Sequence, residues 1–348
     1  MKKLLFGLLM TGAVSCAMAA CGKSETGYIE KSEPATNHST GSSSGSSTKG
    51  DSSEEKIDSG NIVHNYILQG SMQASASLVG KDYTAIHQYM RTLGWDYSEN
   101  PNADSNDHKD GKHCEVVYDD VLKQYIYQFY IHCNDSILDG DRGKKVDRQR
   151  NEMKSQTTEK WYKLNGNWDE WQKLEWKFWI PKDFRPSSSF THIHQLKAQE
   201  GNNGAPIITI TLRSNSNGSN RRLQVIHTGD ISTTSKGTII DNIPLSDLED
   251  QWVQVQTEMH YRHDGYFSIT ITRISDGKVL AKRSVNNIDL WRKGAISIRN
   301  KFGIYRSFGR TLASGSDRPL NGIKDETLKL ADFKVYEQNT NPLPKAHK

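Results

Sequence analysis

Three short stretches of this chain carry side chains whose types and spacing could do chemistry. The first is "DRQRNEMK", residues 147–154. On a β-strand alternate residues share a face, so Arg148, Arg150, Glu152 and Lys154 would form one charged row. Such a row is as readily a solvated edge as a cleft floor, where arginine grips a carboxylate in a bidentate way and a neighbouring glutamate orients it. The second is "FTHIHQLK", residues 190–197, where strand alternation would put His192 and His194 on one face and Ile193 on the other. Two imidazoles could be metal ligands, an acid/base pair or two packed rings. A zinc reading lacks a third ligand at a recognised spacing, and no H-E-x-x-H pattern is present. The third is "NKFGIYRS", residues 300–307, with Lys301, Gly303 and Tyr305 on one face and Phe302, Ile304 and Arg306 on the other. A glycine between lysine and tyrosine clears room for something to approach the backbone. Taken alone, the second and third stretches read more simply as core histidines and an ordinary strand.

The surrounding text is mostly strands. From residue 114 onward, "EVVYDD", "QYIYQFYIHC", "EWQKLEWKFWI", "APIITITLRS", "RRLQVIHTG", "QWVQVQTEMHYR", "GYFSITITRI", "GKVLAKRSV" and "LKLADFKVYE" are short and rich in β-branched or aromatic residues. Turn signals such as His263-Asp264-Gly265 and Ser275-Asp276-Gly277 separate them. Strands do not alternate with long helices, which argues against a parallel α/β fold. Many short strands over ~230 residues predict two packed antiparallel sheets, a sandwich or jelly roll. Ahead of them, Ala85, Tyr89 and Leu93 recur every fourth residue and predict a short helix ending at Gly94. "NPNADSNDHKDGKH" then reads as a loop.

The chain has 348 residues and 34% hydrophobic content, with a mean hydropathy of −0.73. A polar, unstructured stretch diluting an ordinary core accounts for such values. "MKKLLFGLLMTGAVSCAMAAC" has a basic start, an apolar run and small residues before Cys21. It is expected to be a lipoprotein signal over 1–20, with Cys21 lipidated and the protein anchored in a bacterial cell envelope. Residues 21–58 are a Ser/Gly-rich tether, whose ~37 residues would reach about 35 Å as a random coil. The folded domain is expected over 59–345. The formal net charge of +4 comes without a long basic run. Nucleic acid is therefore not an expected partner, while an anionic small molecule or polymer suits the balance. Of the four cysteines only Cys114 and Cys133 fall in this domain. An oxidising envelope permits a disulfide, but a hairpin turn near Asp120 would put the two out of register.

Taken together and in this order, the three stretches resemble the jelly-roll polysaccharide lyases: alginate lyases, glucuronan lyase and heparin lyase I. The alginate lyases carry an R-x-E-L-R strand, a Q-[IV]-H strand and a K-x-G-x-Y strand. Arg150-Asn151-Glu152-Met153-Lys154 is similar to the first, with lysine in place of the last arginine. His192-Ile193-His194 is similar to the second, with His192 where glutamine is usual. Lys301-Phe302-Gly303-Ile304-Tyr305 matches the third at every fixed position. The resemblance spans roughly residues 114–336 and implies a concanavalin A-like all-β jelly roll that cleaves a uronate-containing polysaccharide by β-elimination. In that reaction the C5 proton is removed, C4–O breaks and a C4–C5 double bond forms. The enzyme must neutralise the uronate carboxylate and stabilise an enolate-like intermediate.

The resemblance implies Arg150 and His192 as carboxylate donors, Tyr305 as the acid, and either Tyr305 or His194 as the base, depending on whether the proton and the leaving group lie on the same side of the sugar. Gln195 is a rival to His192 if the strand carries a bulge that shifts its register by one. Lys301, Lys197, Arg148 and Arg306 are candidate substrate contacts. No organic cofactor is needed. The acidic "NDSILDGDRG", residues 134–143, could offer oxygen ligands to calcium but does not match EF-hand spacing, so a plain loop is expected. Trp171, Trp176 and Trp179 are expected in the core rather than as sugar platforms. A monomer is expected. The alternative on the same sandwich is a non-catalytic glycan-binding lipoprotein. A glycoside hydrolase is less well supported, because no E-x-D-x-x-E strand supplies paired carboxylates.

Overall fold

A computed structural model of the protein describes residues 65–101, 112–133, 140–141, 145–308 and 322–338. The chain divides into two units, Met1–Gly60 and Asn61–Lys348. The signal, Cys21, the tether and most of the 102–111 and 134–143 loops lie outside the described residues.

The second unit is an all-β sandwich of two eight-stranded sheets, as the strand-rich sequence predicts. One sheet runs β14 (Val279–Ile288), β13 (Gly265–Arg273), β12 (Val253–His260), β7 (Trp171–Trp179), β16 (Glu326–Gln338), β4 (Gln124–Ile131), β3 (Cys114–Asp119), with β1 (Tyr66–Met72) also on β16. The other runs β11 (Gly237–Pro244), β10 (Arg222–His227), β9 (Ile208–Arg213), β8 (Thr191–Gln199), β15 (Ser297–Ser307), β6 (Lys145–Ser155), β2 (Trp95–Glu99), with β5 (Gly140–Asp141) also on β6. The chain passes from β6 to β7 to β8, and again from β14 to β15 to β16, changing sheet each time. These crossings seat β15 between β6 and β8, which brings the three chemically suggestive stretches side by side.

Alternation explains the layers. In β7, Leu174, Trp176 and Phe178 point inward and are buried, while Trp171, Lys173, Glu175, Lys177 and Trp179 lie on the outer face. Trp176 is therefore core as expected. Trp171 and Trp179 lie on the outer face: Trp171 stacks on His260 at 4.6 Å between centroids, and Trp179, beneath the Lys329 ammonium, packs in part against the small buried cluster of Ile126, Trp252 and Ala331. The predicted helix is α1 (Tyr83–Thr92), started by the Asp82 side chain accepting from the Ala85 N–H and ended before Gly94 at φ +88°. Its deepest side chains are Ile86 and Met90, one position round from the row read in the sequence. The β3–β4 turn pairs Cys114 with Phe129, so Cys133 lies four residues beyond its register and the two cysteines are thiols.

Gly303 clears room at the centre of the third stretch. It has φ +139°, and a Cβ there would stand 2.1 Å from the Asn151 carbonyl oxygen. What approaches it is the neighbouring strand β6. Gly303→Ala is expected to cost at least about 2 kcal/mol through strain and overlap. A urea midpoint unchanged from wild type would show that β6 and β15 are not packed this closely.

Candidate active site

The outer face of the second sheet gathers β6, β15 and β8 into a charged groove. In cross-strand register, Arg150 lies beside Tyr305 and Tyr305 beside His192. One step along, Lys154 lies beside Lys301 and Lys301 beside Gln195. The Arg150 guanidinium carbon sits 3.9 Å from the centre of the Tyr305 ring, an electrostatic contact of a cation with the ring face. Arg148 Nη1 donates to the Tyr305 hydroxyl at 3.2 Å. Phe190 packs against both His192 and Tyr305, with centroids 4.7 and 5.2 Å away.

Beneath the row lies a buried ion cluster. Glu152 is fully buried and receives Lys301 Nζ at 3.0 Å, Arg150 Nη1 at 3.3 Å and the Gln195 amide. Glu99, from β2, receives Lys301, Arg150 and Lys154. Burial pushes the Glu99 carboxyl up, but Lys301, Arg150 and Lys154 outweigh it and hold it well below the usual carboxylate range. Two further titratable side chains line the groove. Lys197 is lowered to about 8, by burial first and then by Lys301 and Arg150. His192 is lowered to about 3, by burial first and then by Arg213, Lys301 and Arg150, so its imidazole is neutral near pH 7. Among the described residues, Arg150, Lys154 and Lys301 are paired with Asp96, Glu99 and Glu152, while Lys197, Arg148 and Arg213 add further positive charge on this face.

His194 is not in this groove. Its register partner is Phe302, and it is buried between Phe302 and Trp176, with centroids 4.5 and 5.5 Å away. The reason is a bulge: opposite β9, His192 pairs with Thr211 and His194 with Ile210, leaving Ile193 as an extra residue. His192 and His194 therefore point to opposite faces, against the simple alternation. The residue that joins His192 in the groove is Gln195, the rival that a register shift predicts. Burial lowers His194 to about 3 as well, as expected of a neutral ring among aromatics. Arg306 is likewise inside the sandwich rather than in the groove, fully buried and donating to Gln149 Oε1 at 2.7 Å and the Lys324 carbonyl at 2.7 Å.

Glu99 escaped the sequence reading. The only signal was the alternation in "WDYSE", which buries Trp95, Tyr97 and Glu99 together. Glu99 takes part at the groove because β2 loses regular pairing with β6 between Asp96 and Glu99. Among the described residues, no group of three or more His, Cys, Asp or Glu is placed to hold a metal ion.

No family model matches the chain, and no curated protein does. Among solved structures it is similar to an endo-β-1,4-glucuronan lyase from Trichoderma reesei, with 14% identity, 66% of this chain and 88% of that one covered, and a TM-score of 0.43. It is similar also to an alginate lyase from Pseudomonas aeruginosa, with 16% identity, 65% and 86% coverage and a TM-score of 0.41. A third is an alginate lyase from Aplysia kurodai, with 11% identity, 64% and 86% coverage and a TM-score of 0.41. These are jelly-roll lyases at low identity; the strand order of the two sheets is what fixes the fold of this chain as a jelly-roll sandwich.

Proposed function

We propose that the groove is the active site of a polysaccharide lyase acting on a uronate-containing chain by β-elimination. The observation that carries the reading is the row Arg150–Tyr305–His192, with Arg148 on the phenol oxygen. Held this way, the Tyr305 oxygen can take the C5 proton as a phenolate and, as the phenol so formed, deliver it to the leaving O4 of a sugar lying along the strands. Tyr305 is the acid and the principal base. A neutral imidazole whose conjugate acid forms only near pH 3 accepts protons poorly, so His192 acts as a neutral hydrogen-bond partner to the sugar or its carboxylate.

Neutralising that carboxylate falls to the excess positive charge. Arg150 and Lys301 are already engaged by Glu99 and Glu152, so they supply field more than direct contact. Lys197 and Arg148, the latter on the Tyr305 hydroxyl, extend that field along the same face. Gln195, tied to Glu152, braces the cluster and keeps its amide beside Lys301. The reading includes an extracytoplasmic, lipid-anchored protein tethered through residues 21–58.

The test is incubation of the protein from residue 59 onward with alginate, glucuronan and glycosaminoglycans, following the ultraviolet absorbance of the new C4–C5 double bond. Absorbance should rise on at least one polyuronate. Binding without any rise would replace the lyase with a glycan-binding protein, a reading that the internal pairing of Glu99 and Glu152 with the groove cations also accommodates.

A further inference from the structure

A cavity of about 840 Å³ opens at the end of the sandwich away from Tyr305, lined in part by Trp168, Trp291, His263, Asp230, Arg292 and Asn202. It shares no residue with the groove. Asn202 follows the C-terminal end of β8 and Gly294 precedes β15, whereas His192 and Tyr305 lie at the opposite ends of those strands. At about 3.3 Å per residue, the span from Ser297 to Tyr305 alone is about 26 Å.

The cavity is built rather than incidental. Trp168 meets Trp291 and His263 edge-on, with centroids 5.5 Å away in both cases and planes at 77° and 63°. The three rings form a steep aromatic corner. Asp289 is completely buried and holds His263 Nδ1 at 2.7 Å. Its other oxygen accepts the backbone N–H groups of Asp230 and Ile231 at 2.7 and 3.0 Å. That leaves the Nε2 edge of a half-exposed His263 ring fixed at the cavity wall. Arg292, 3% exposed, is pinned to Asp230 and to the carbonyls of Thr228, Pro206 and Ala205. Its buried Nε–H has no partner among the described residues. Asn202 also reaches Asp230, at 2.7 Å.

We infer that this cavity binds an uncharged pyranose unit of a polysaccharide. The volume falls in the range of about 300–1,000 Å³ typical of small-molecule sites. An aromatic corner offers π faces to the C–H face of a sugar ring. His263 and Asn202 offer fixed polar contacts to its hydroxyls. The carboxylates of Asp230 and Asp289 balance the cations of Arg292 and Lys293, so the site lacks the cationic excess of the groove and does not select a uronate. The inference is independent of the elimination reading: it would stand for a catalytic or a non-catalytic sandwich.

The experiment is calorimetric titration of the protein from residue 59 onward with cellohexaose, xylohexaose, mannohexaose and laminarihexaose. These carry no carboxylate to activate a C5 proton, so the groove's proposed chemistry leaves them intact. At least one should bind saturably, with Kd raised tenfold or more in both Trp168→Ala and His263→Ala. Cleavage of polyuronate, if present, should be unchanged in both variants. The inference is overturned if none of the four binds, if neither substitution weakens binding, or if a short oligouronate displaces the neutral sugar. Circular dichroism matching wild type keeps either variant's loss from being read as unfolding.

Discussion

Tyr305→Phe should lower turnover on a polyuronate by about 10²- to 10⁴-fold, the usual contribution of a positioned acid or base. The phenyl ring keeps its place against Phe190 and beneath the Arg150 guanidinium, so KM should change little. Initial rates of double-bond absorbance against substrate concentration measure both. The paired control is His194→Leu. That side chain lies between Trp176 and Phe302 on the inner face, so the substitution should lower stability and leave turnover within a few-fold of wild type in the folded fraction. Full activity in Tyr305→Phe, or loss of activity in a folded His194→Leu, would remove the assignment of Tyr305 and the placement of the two histidines on opposite faces.

That pair of variants marks where sequence reading ends. The strand-rich text and its turn signals were enough for the sandwich, and β6, β8 and β15 fall where their polarity suggested. Tyr305, Lys301 and Arg150 share the face that alternation assigned them. Alternation fails at Ile193 because a bulge depends on how β8 is paired on each side: the register slips by one against β9 and also against β15. Nothing local in "THIHQ" encodes that. Glu99 was invisible for a different reason. Its partners Lys301, Arg150 and Lys154 are 202, 51 and 55 residues away, and a carboxylate in a short edge strand looks solvated until its neighbours are known. Arg306 was misjudged because an arginine on the apolar face of β15 finds Gln149 and a carbonyl inside the sandwich.

Lys301→Met should be the most destabilising single change in the groove. It keeps most of the aliphatic stem and removes the ammonium shared by Glu99 and Glu152. Lys301 is 2% exposed and both carboxylates are buried. Removing one partner of a buried ion pair costs about 3–5 kcal/mol when the remaining charge is left uncompensated; Arg150 and Lys154 still meet part of it here, so a loss near the lower end, about 3 kcal/mol, is expected. Urea unfolding at neutral pH measures it; a loss below about 1 kcal/mol would mean that water reaches the cluster. The pH dependence has a definite sign. A carboxylate depressed in the folded state stabilises the fold above its unfolded pKa of about 4.3 and loses that contribution as pH falls toward its folded value. Glu99 is such a group, so wild type should lose stability progressively below about pH 4. Without the Lys301 charge the depression is smaller, and this acid-dependent part of the stability should shrink.

The extra residue in β8 also bears on how this strand should vary among natural relatives. Positions 192 and 195 share the groove face although an odd number of steps separates them, while position 194 answers to the aromatic packing around it. Substitutions at 194 should therefore track the sizes of residues 176 and 302, and those at 192 and 195 should track residues 305 and 301. A fixed-spacing signature that joins 192 to 194 would pair one column facing the groove with one under steric constraint, and its apparent tolerance would say little about the groove.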